Sequence, residues 1–201
     1  MKRRALLAVL AGGALVAASP LARADSLTPQ ERSRLASGDV IRRHVDFDTA
    51  DGPYFGGISY GVIDASPAEV MRALLDVNTY RSILPLTLEA REVGRKGDNS
   101  LVFFRQGGRL GTASYTLLVR RESPSLLRFW LDPAFPHEIE DCWGYFRVQP
   151  FGAQKTLLTY AAVLRLELGF VRMFFSEKIR SFALDTPLRV QWHFGTKLLG
   201  R

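Results

Sequence analysis

The densest group of side chains that could do acid–base or metal chemistry is the run HEIED, from His137 to Asp141. An imidazole beside carboxylates could act as a general acid and base, or supply ligands to a divalent metal. The run follows the proline-rich stretch PAFP, which is typical of a surface loop. A single histidine with scattered carboxylates matches no metal-ligand spacing. We therefore expect solvated loop residues here, with neither a catalytic residue nor a metal site.

The one cysteine, Cys142, is the next candidate for chemistry. A nucleophilic thiol needs a partnering base, and His137 is the histidine nearest to it in sequence. Cys142 lies in a strand-like run beside Trp143, where a lone cysteine is most often a small buried hydrophobe. We expect structural roles for it and for the other two histidines, His44 and His193. No Ser/His/Asp signature, phosphate-binding loop or dinucleotide-binding glycine pattern occurs, so we predict no catalytic residue and no cofactor.

The N-terminal residues have the three parts of a secretory signal peptide. A basic segment, Met1 to Arg4, precedes an uncharged run of 14 residues, Ala5 to Ala18, and the small-x-small motif at Ala22-Arg23-Ala24. The apolar run is shorter than the ~20 residues that span a bilayer. We predict a signal peptide over residues 1–24, cleaved after Ala24, and a periplasmic or secreted protein. Export by the general or the twin-arginine route is left open.

The charge of the chain says little about a polyanionic partner. The formal net charge is +7, but four of the 27 basic residues lie before residue 25 and all 20 acidic residues lie from Asp25 onward, which leaves +3 for the rest. A surplus of that size is ordinary for a soluble protein. We expect no nucleic-acid partner.

Two capping boxes mark helix starts. Thr28 and Glu31 begin a helix that runs to about Ala36, within an N-terminal helical segment over residues 25–38. Ser66 and Glu69 begin a second helix with a short apolar stripe, and a loop segment, Tyr80 to Leu86, follows it. Eight strand-like runs accompany them, with short connectors that require antiparallel neighbours: Asp39–Phe47, Tyr54–Asp64, Leu86–Val93, Ser100–Gln106, Ala113–Glu122, Leu126–Leu131, Cys142–Val148 and Lys155–Leu166.

The alternation of residues in the later strands predicts one dry face and one wet face for the sheet. In the last strand Leu158, Tyr160 and Leu164 share one parity, opposite Thr159 and Arg165. Leu101–Gln106 is apolar on both parities and cannot be oriented. From about Phe170 the apolar period becomes helical, with a break expected at Pro187 near Asp185–Thr186. A long C-terminal helix laid on a curved antiparallel sheet makes an α+β fold.

This order of elements resembles the helix-grip fold of the START-like (SRPBCC) superfamily, which contains lipid-transfer domains and polyketide cyclases. The likeness covers roughly Asp39 to the C-terminus, so we treat residues 39–201 as one START-like ligand-binding domain. It implies a curved sheet of about seven to eight strands wrapped around a long C-terminal helix, with a short helix pair after the second strand. The segments that carry it are residues 63–70 (IDASPAEV), 75–80 (LDVNTY), 84–85 (LP), 144–150 (GYFRVQP) and 156–160 (TLLTY).

The resemblance implies an apolar cavity between the sheet and the C-terminal helix, filled by a lipid or another hydrophobic small molecule. Such a protein would carry its ligand without transforming it, and would touch a membrane transiently. Two alternatives remain: a polyketide cyclase or aromatase with the same fold, and a non-catalytic membrane- or protein-interaction module with a filled core. We expect the cavity lining to include Tyr115, Phe129, Phe146, Tyr160, Phe174 and Phe182, and its rim to include Tyr80, Leu84 and Leu86.

Overall fold

The computed structural model describes residues 26–108, 111–166 and 184–199, with side chains as far as Gly195 in the last segment. The predicted signal peptide lies outside the described residues. So do two of the expected lining residues, Phe174 and Phe182, and the first part of the expected C-terminal helix.

The described residues form four α-helices, one short 3-10 helix and nine strands. The helices are α1 (Pro29–Ala36), α2 (Pro67–Leu75), α3 (Tyr80–Ile83) and α4 (Thr186–Leu199), and the 3-10 turn is Val77–Thr79. The strands are β1 (Ile41–His44), β2 (Phe47–Thr49), β3 (Gly52–Ile63), β4 (Thr87–Lys96), β5 (Asn99–Gly108), β6 (Gly111–Ser123), β7 (Leu126–Leu131), β8 (Asp141–Pro150) and β9 (Thr156–Arg165).

The strands form one antiparallel sheet in the order β1-β3-β9-β8-β7-β6-β5-β4, with β2 paired to β3. The α+β arrangement expected from the sequence is thus observed. The predicted first strand, Asp39–Phe47, is the exception, because it divides into β1 and β2 at Val45-Asp46. Both parts still pair with β3, through His44 with Gly57 and through Phe47 with Tyr54.

The expectation of one wet face is wrong for the β3–β9 end of the sheet. The side chains of β9 that point away from the C-terminal helix, including Leu157, Ala161 and Val163, are buried in an outer core. Helix α1 covers this face and inserts Leu35, which is 0% exposed. Complete burial of a leucine contributes roughly 1.5–3 kcal/mol. The alternation of residues in β9 could not reveal this cover, because the helix comes from a distant part of the sequence.

The start of α4 packs on the opposite, inner face of β3, where two glycines leave room for it. A Cβ atom built on Gly57 would lie 2.9 Å from Leu184 Cδ1, and one built on Gly61 would lie 2.8 Å from Pro187 Cβ. Pro187 occupies the first turn of the helix, where its missing N–H costs no hydrogen bond. The predicted break at this point therefore coincides with an observed helix start.

Adjacent arginines of β1 join the sheet to helices on both of its faces. Arg43 binds Glu31 of α1 on the outer face, with Nη2 2.7 Å from Oε2. Arg42 points to the inner face, where its Nη2 lies 2.6 Å from Oδ1 of Asp185. This short edge strand is thereby held between the two helices.

The Glu31 ion pair makes stability depend on pH. Hydrogen bonds from Arg43 and from the backbone of Thr28 lower the pKa of Glu31 to about 2. Because this value lies below that of an unfolded glutamate, the stabilisation is present above about pH 4.5 and is lost as the pH falls towards about 2. We expect Glu31→Gln to lower the free energy of unfolding at neutral pH by about 1 kcal/mol. Denaturant titration at several pH values measures the difference, which should shrink in acid.

Glu92→Gln is the matched control for this effect. Glu92 pairs with Arg95 at 3.0 Å, but on an edge strand where their side chains are 40% and 71% exposed. Exposed pairs contribute little. Equal effects of the two substitutions at every pH would contradict the assignment.

The close approach at Gly61 predicts a second effect on stability. In Gly61→Ala the new methyl group would overlap Pro187, so the helix must shift away from β3, at a cost of about 1–3 kcal/mol. Gly108→Ala is the control, since a Cβ at that position meets no atom within 4 Å. Thermal unfolding of both variants compares them, and an unchanged midpoint for Gly61→Ala would show that the contact is looser than described.

Candidate functional site

A cavity of about 160 Å³ lies between the inner face of the sheet and the segment that begins α4. Its walls come from β5, β6, β7, β8 and β9, and from the segment around α3. The described residues that line it are largely apolar: Gly56, Tyr80, Leu84, Pro85, Leu86, Phe104, Gln106, Gly107, Ala113, Tyr115, Leu117, Val119, Phe129, Ile139, Cys142, Phe146, Tyr160, Ala162, Leu164, Leu166 and Leu184.

Two groups of stacked rings form much of this wall. In one group the ring of Phe104 lies between those of Tyr80 and Tyr115, with centroid distances of 5.6 Å and 5.8 Å. In the other, Phe146 lies 5.0 Å from Tyr160 and 5.7 Å from Phe129. Stacked and tilted rings at these distances stabilise one another beyond the apolar area that they bury. The wall of the cavity is therefore built from rings that contact one another.

Four of the residues expected to line the cavity do so: Tyr115, Phe129, Phe146 and Tyr160. The three expected at its rim also contact it, although Tyr80 and Leu84 are buried in the wall. Leu86 is partly exposed and has φ +59°, a left-handed conformation that is rare for a large side chain. The role of these residues in binding a ligand stays a prediction.

The polar atoms of the cavity are mostly engaged with one another. The Tyr115 hydroxyl donates to Oε1 of Gln106, and Nε2 of Gln106 donates to Oγ1 of Thr87 at 2.7 Å. The Tyr80 hydroxyl donates to the carbonyl of Leu74 at 2.8 Å. These bonds fix the direction of each donor before any ligand binds.

The titratable groups of the lining are held uncharged. Burial raises the pKa of the tyrosines Tyr80, Tyr115 and Tyr160 above that of an ordinary phenol. Burial, together with the charge of Asp141, raises the pKa of the Cys142 thiol to about 12. Among the described lining residues these are the titratable ones, so this part of the cavity carries no charge at neutral pH.

The polar side chains of residues 137–141, which end at the first residue of β8, make hydrogen bonds to other strands of the sheet and to the local backbone. Oε2 of Glu138 accepts from the Ser114 amide at 2.7 Å, and Asp141 accepts from the Tyr54 hydroxyl. Nδ1 of His137 lies 2.9 Å from the Ile139 carbonyl. Across the described residues, no three His, Cys, Asp or Glu side chains lie close enough together to hold a metal ion.

Several lining residues were not predicted from the sequence. Gln106 is the last residue of the predicted strand Ser100–Gln106, which is apolar on both faces. The sequence therefore did not show to which face its side chain points until the register with β6 was known. Ile139 lies in the loop before the predicted strand Cys142–Val148. Leu184 lies in the expected C-terminal helix, but it was not among the residues of that helix predicted to face the cavity. Cys142 was predicted to be buried, and it is 7% exposed; it lies on the same face of its strand as Phe146 and so contacts the cavity.

Solved structures share this arrangement of sheet and helices. A START superfamily protein from Mycobacterium smegmatis superposes with a TM-score of 0.54 at 13% identity, covering 82% of this chain and 100% of that one. A STAR-related lipid transfer protein from Xanthomonas axonopodis gives a TM-score of 0.56 at 13% identity, covering 78% and 92%. The chain has the START-like fold.

The START-like fold also occurs in the Zhui aromatase/cyclase from a Streptomyces species, which superposes with a TM-score of 0.58 at 13% identity over 79% of this chain and 96% of that one. No protein-family model matches the sequence, and a search of curated proteins gave no match. The likeness is thus one of fold, shared with proteins of different activities.

Three large apolar side chains are exposed in the part of the chain that the structure describes. Trp192 of α4 is 60% exposed, and Leu75 and Leu88 are 41% and 39% exposed. No helix within residues 26–108, 111–166 and 184–199 is long and apolar enough to cross a membrane. A transient contact with a membrane stays a prediction.

The raised pKa of Cys142 predicts low thiol reactivity. With a pKa of about 12, the thiolate fraction at about pH 8 is on the order of one part in ten thousand. Maleimide should therefore label the folded protein very slowly, with a rate that rises with pH and reaches no plateau below about pH 10. The denatured protein is the control and should label rapidly. A plateau near pH 8.5 in the folded protein would mean that the thiol is solvated.

Proposed function

We propose that this chain binds a hydrophobic small molecule in the cavity and carries or sequesters it without transforming it. The observation that carries the proposal is an apolar cavity whose described titratable groups stay uncharged at neutral pH. Burial of apolar ligand surface would supply roughly 25 cal/mol per Å² as the driving force. A site of this kind binds by shape and desolvation, with a few polar groups that orient the ligand.

The volume of the cavity favours a small ligand. At about 160 Å³ it is close to the roughly 150 Å³ of an engineered apolar cavity that binds benzene. A lipid would place at most part of one chain in such a space. We therefore propose a ring-sized hydrophobic molecule as the cargo ahead of a whole lipid.

An enzyme with this fold is the second candidate, since the neighbours in structure include aromatase/cyclases as well as a STAR-related lipid transfer protein. Acid–base catalysis is most efficient when the catalytic pKa lies near the working pH. Burial moves the pKa values of the described lining groups away from neutrality. This direction favours the carrier. An interaction module with a filled core would have no such cavity, so this alternative is disfavoured.

We also propose that the protein acts outside the cytoplasm. The support is the pattern of residues 1–24, a basic start followed by an uncharged apolar run and a small-x-small motif. Cleavage after Ala24 would leave Asp25 as the first residue. A carrier in the periplasm or outside the cell would move its ligand through water between compartments or membranes.

Filling the cavity should abolish binding. Ala162 lines the cavity, and Ala162→Phe places a ring in the space proposed for the ligand. We expect at least a tenfold loss of affinity for a small fluorescent aromatic probe such as naphthol. Ala153→Phe adds the same ring at an exposed turn and should bind the probe like the parent. Leu164→Trp is a second filling variant, and circular dichroism checks that each variant is folded.

Native mass spectrometry of the protein purified from its own cells tests the proposal without a chosen probe. The expected spectrum shows the chain from Asp25 with a small organic molecule that extraction releases unchanged. Repeatedly empty protein that also fails to take up hydrophobic probes would overturn the carrier function. A chain that retains residues 1–24 would overturn the proposed processing.

A further inference from the structure

Gln106 is the one described residue of the cavity lining that carries a side-chain amide. It lies on the inner face of β5, as Phe104 does, and its register partner on β6 is Ala113. Ala113 and the next residue of β5, Gly107, also line the cavity and have little or no side chain. Cavity space therefore borders the amide group, where larger neighbours would have covered it.

The hydrogen bonds of Gln106 fix the orientation of its amide. Nε2 lies 2.7 Å from Oγ1 of Thr87 and 3.4 Å from the carbonyl oxygen of Pro85. A carbonyl oxygen can only accept a hydrogen bond, so the amide must turn its NH₂ group, and not its oxygen, towards Pro85. The two amide hydrogens are directed at these two partners. Oε1 then faces Tyr115 and accepts the hydrogen of its hydroxyl group.

The oxygens of Gln106 and Tyr115 can accept further hydrogen bonds. A phenol that donates its hydrogen can still accept a bond through its oxygen, and an amide oxygen can accept two. The three donor hydrogens of the pair are already engaged, by Thr87, by Pro85 and within the pair itself. Tyr115 is also held in place, since its ring stacks on that of Phe104 with a centroid distance of 5.8 Å. The pair therefore offers acceptors to a ligand, while its donors are used.

This arrangement discriminates between polar groups of a ligand. A hydroxyl or N–H group could donate to either oxygen of the pair. A ketone or ether oxygen would face two oxygens, and it would lose its hydrogen bonds to water without replacement. A charged group is disfavoured for another reason, because the described lining includes no Asp, Glu, Lys, Arg or His side chain that could compensate its lost hydration.

We propose that the Gln106–Tyr115 pair orients the ligand and selects an uncharged, ring-sized molecule that donates a hydrogen bond, an alcohol or a phenol, over the corresponding ketone. The proposal rests on the carrier function and names the class of its ligand. The hydroxyl group of the ligand donates to the pair beside β5, and its apolar body lies against the aliphatic and aromatic walls of the cavity.

Three probes with one ring skeleton test this selectivity: 2-indanol donates and accepts hydrogen bonds, 2-indanone only accepts them, and indane does neither. Isothermal titration calorimetry of the purified protein measures their affinities at neutral pH. We expect 2-indanol to bind at least about fivefold more tightly than 2-indanone, because the buried carbonyl of the ketone would be left unpaired. Indane is the reference for binding by shape and apolar area alone.

Variants of the pair should change this preference in different ways. Gln106→Met keeps the length of the side chain and removes its amide. The hydroxyl hydrogen of Tyr115 is then free to bind a carbonyl, so the preference for 2-indanol over 2-indanone should disappear. Tyr115→Phe releases a lone pair of Gln106 and frees no hydrogen, so the preference should persist. A general loosening of the cavity would weaken the binding of all three probes alike.

Two further variants locate the preference. Gln149→Met makes the same replacement at an exposed position of β8 and should bind all three probes like the parent. Tyr160→Phe removes another phenol of the lining, on β9, and should leave the preference for 2-indanol in place. Circular dichroism checks that each variant is folded, and Gln106→Leu is a second apolar replacement if Gln106→Met is unfolded.

The outcomes separate this selectivity from the carrier function. Equal affinities of the parent for 2-indanol and 2-indanone, or tighter binding of the ketone, would overturn the selectivity and leave the hydrophobic carrier intact. A preference that survives the removal of the Gln106 amide, or that is lost in Tyr115→Phe or Tyr160→Phe, would overturn the role of Gln106. If the parent binds none of the three probes, both proposals are wrong.

Discussion

The pairing of β3 with β9 is the constraint on which the rest of this structure depends. Nine residue pairs, from Phe55 with Leu164 to Ile63 with Thr156, join a strand near the start of the chain to the last strand of the sheet. This pairing gives two strands that are buried on both faces, under α1 on one side and under α4 on the other. Helix α4 packs on both β3 and β9, and helix α1 packs on the other face of β3. The cavity lies between the inner face of the sheet and the segment that begins α4.

Arrangements that depend on local sequence could be predicted. The capping boxes at Thr28 and Ser66 begin helices at the expected residues, with both reciprocal bonds formed. The alternation in β6 to β9 correctly assigned the inward rings of Tyr115, Phe129, Phe146 and Tyr160. Arrangements that depend on distant contacts could not be predicted. The direction of Gln106 follows from the register of β5 with β6, and the outer core follows from the docking of Leu35.

The chemistry of the cavity follows from its apolar walls. Stacked rings and aliphatic side chains exclude water, and this exclusion raises the pKa of the phenols and of the Cys142 thiol further above neutrality. The sequence suggested that the carboxylates and histidine of residues 137–141 were the most reactive groups. In the structure Glu138, Asp141 and His137 make hydrogen bonds that hold neighbouring segments together. What remains in the lining is a set of neutral hydrogen-bonding groups. Such a set can orient a ligand, and this property favours binding over transformation.

The most direct test of the cavity as the binding site is the set of intermolecular nuclear Overhauser effects between a bound naphthol and the methyl groups of the protein. The account predicts contacts to Leu117, Leu164 and Leu184, which line the cavity from β6, β9 and the segment before α4. Contacts confined to the exposed leucines Leu75 and Leu88 would contradict it. They would show that hydrophobic molecules bind the surface of this fold and leave its interior empty.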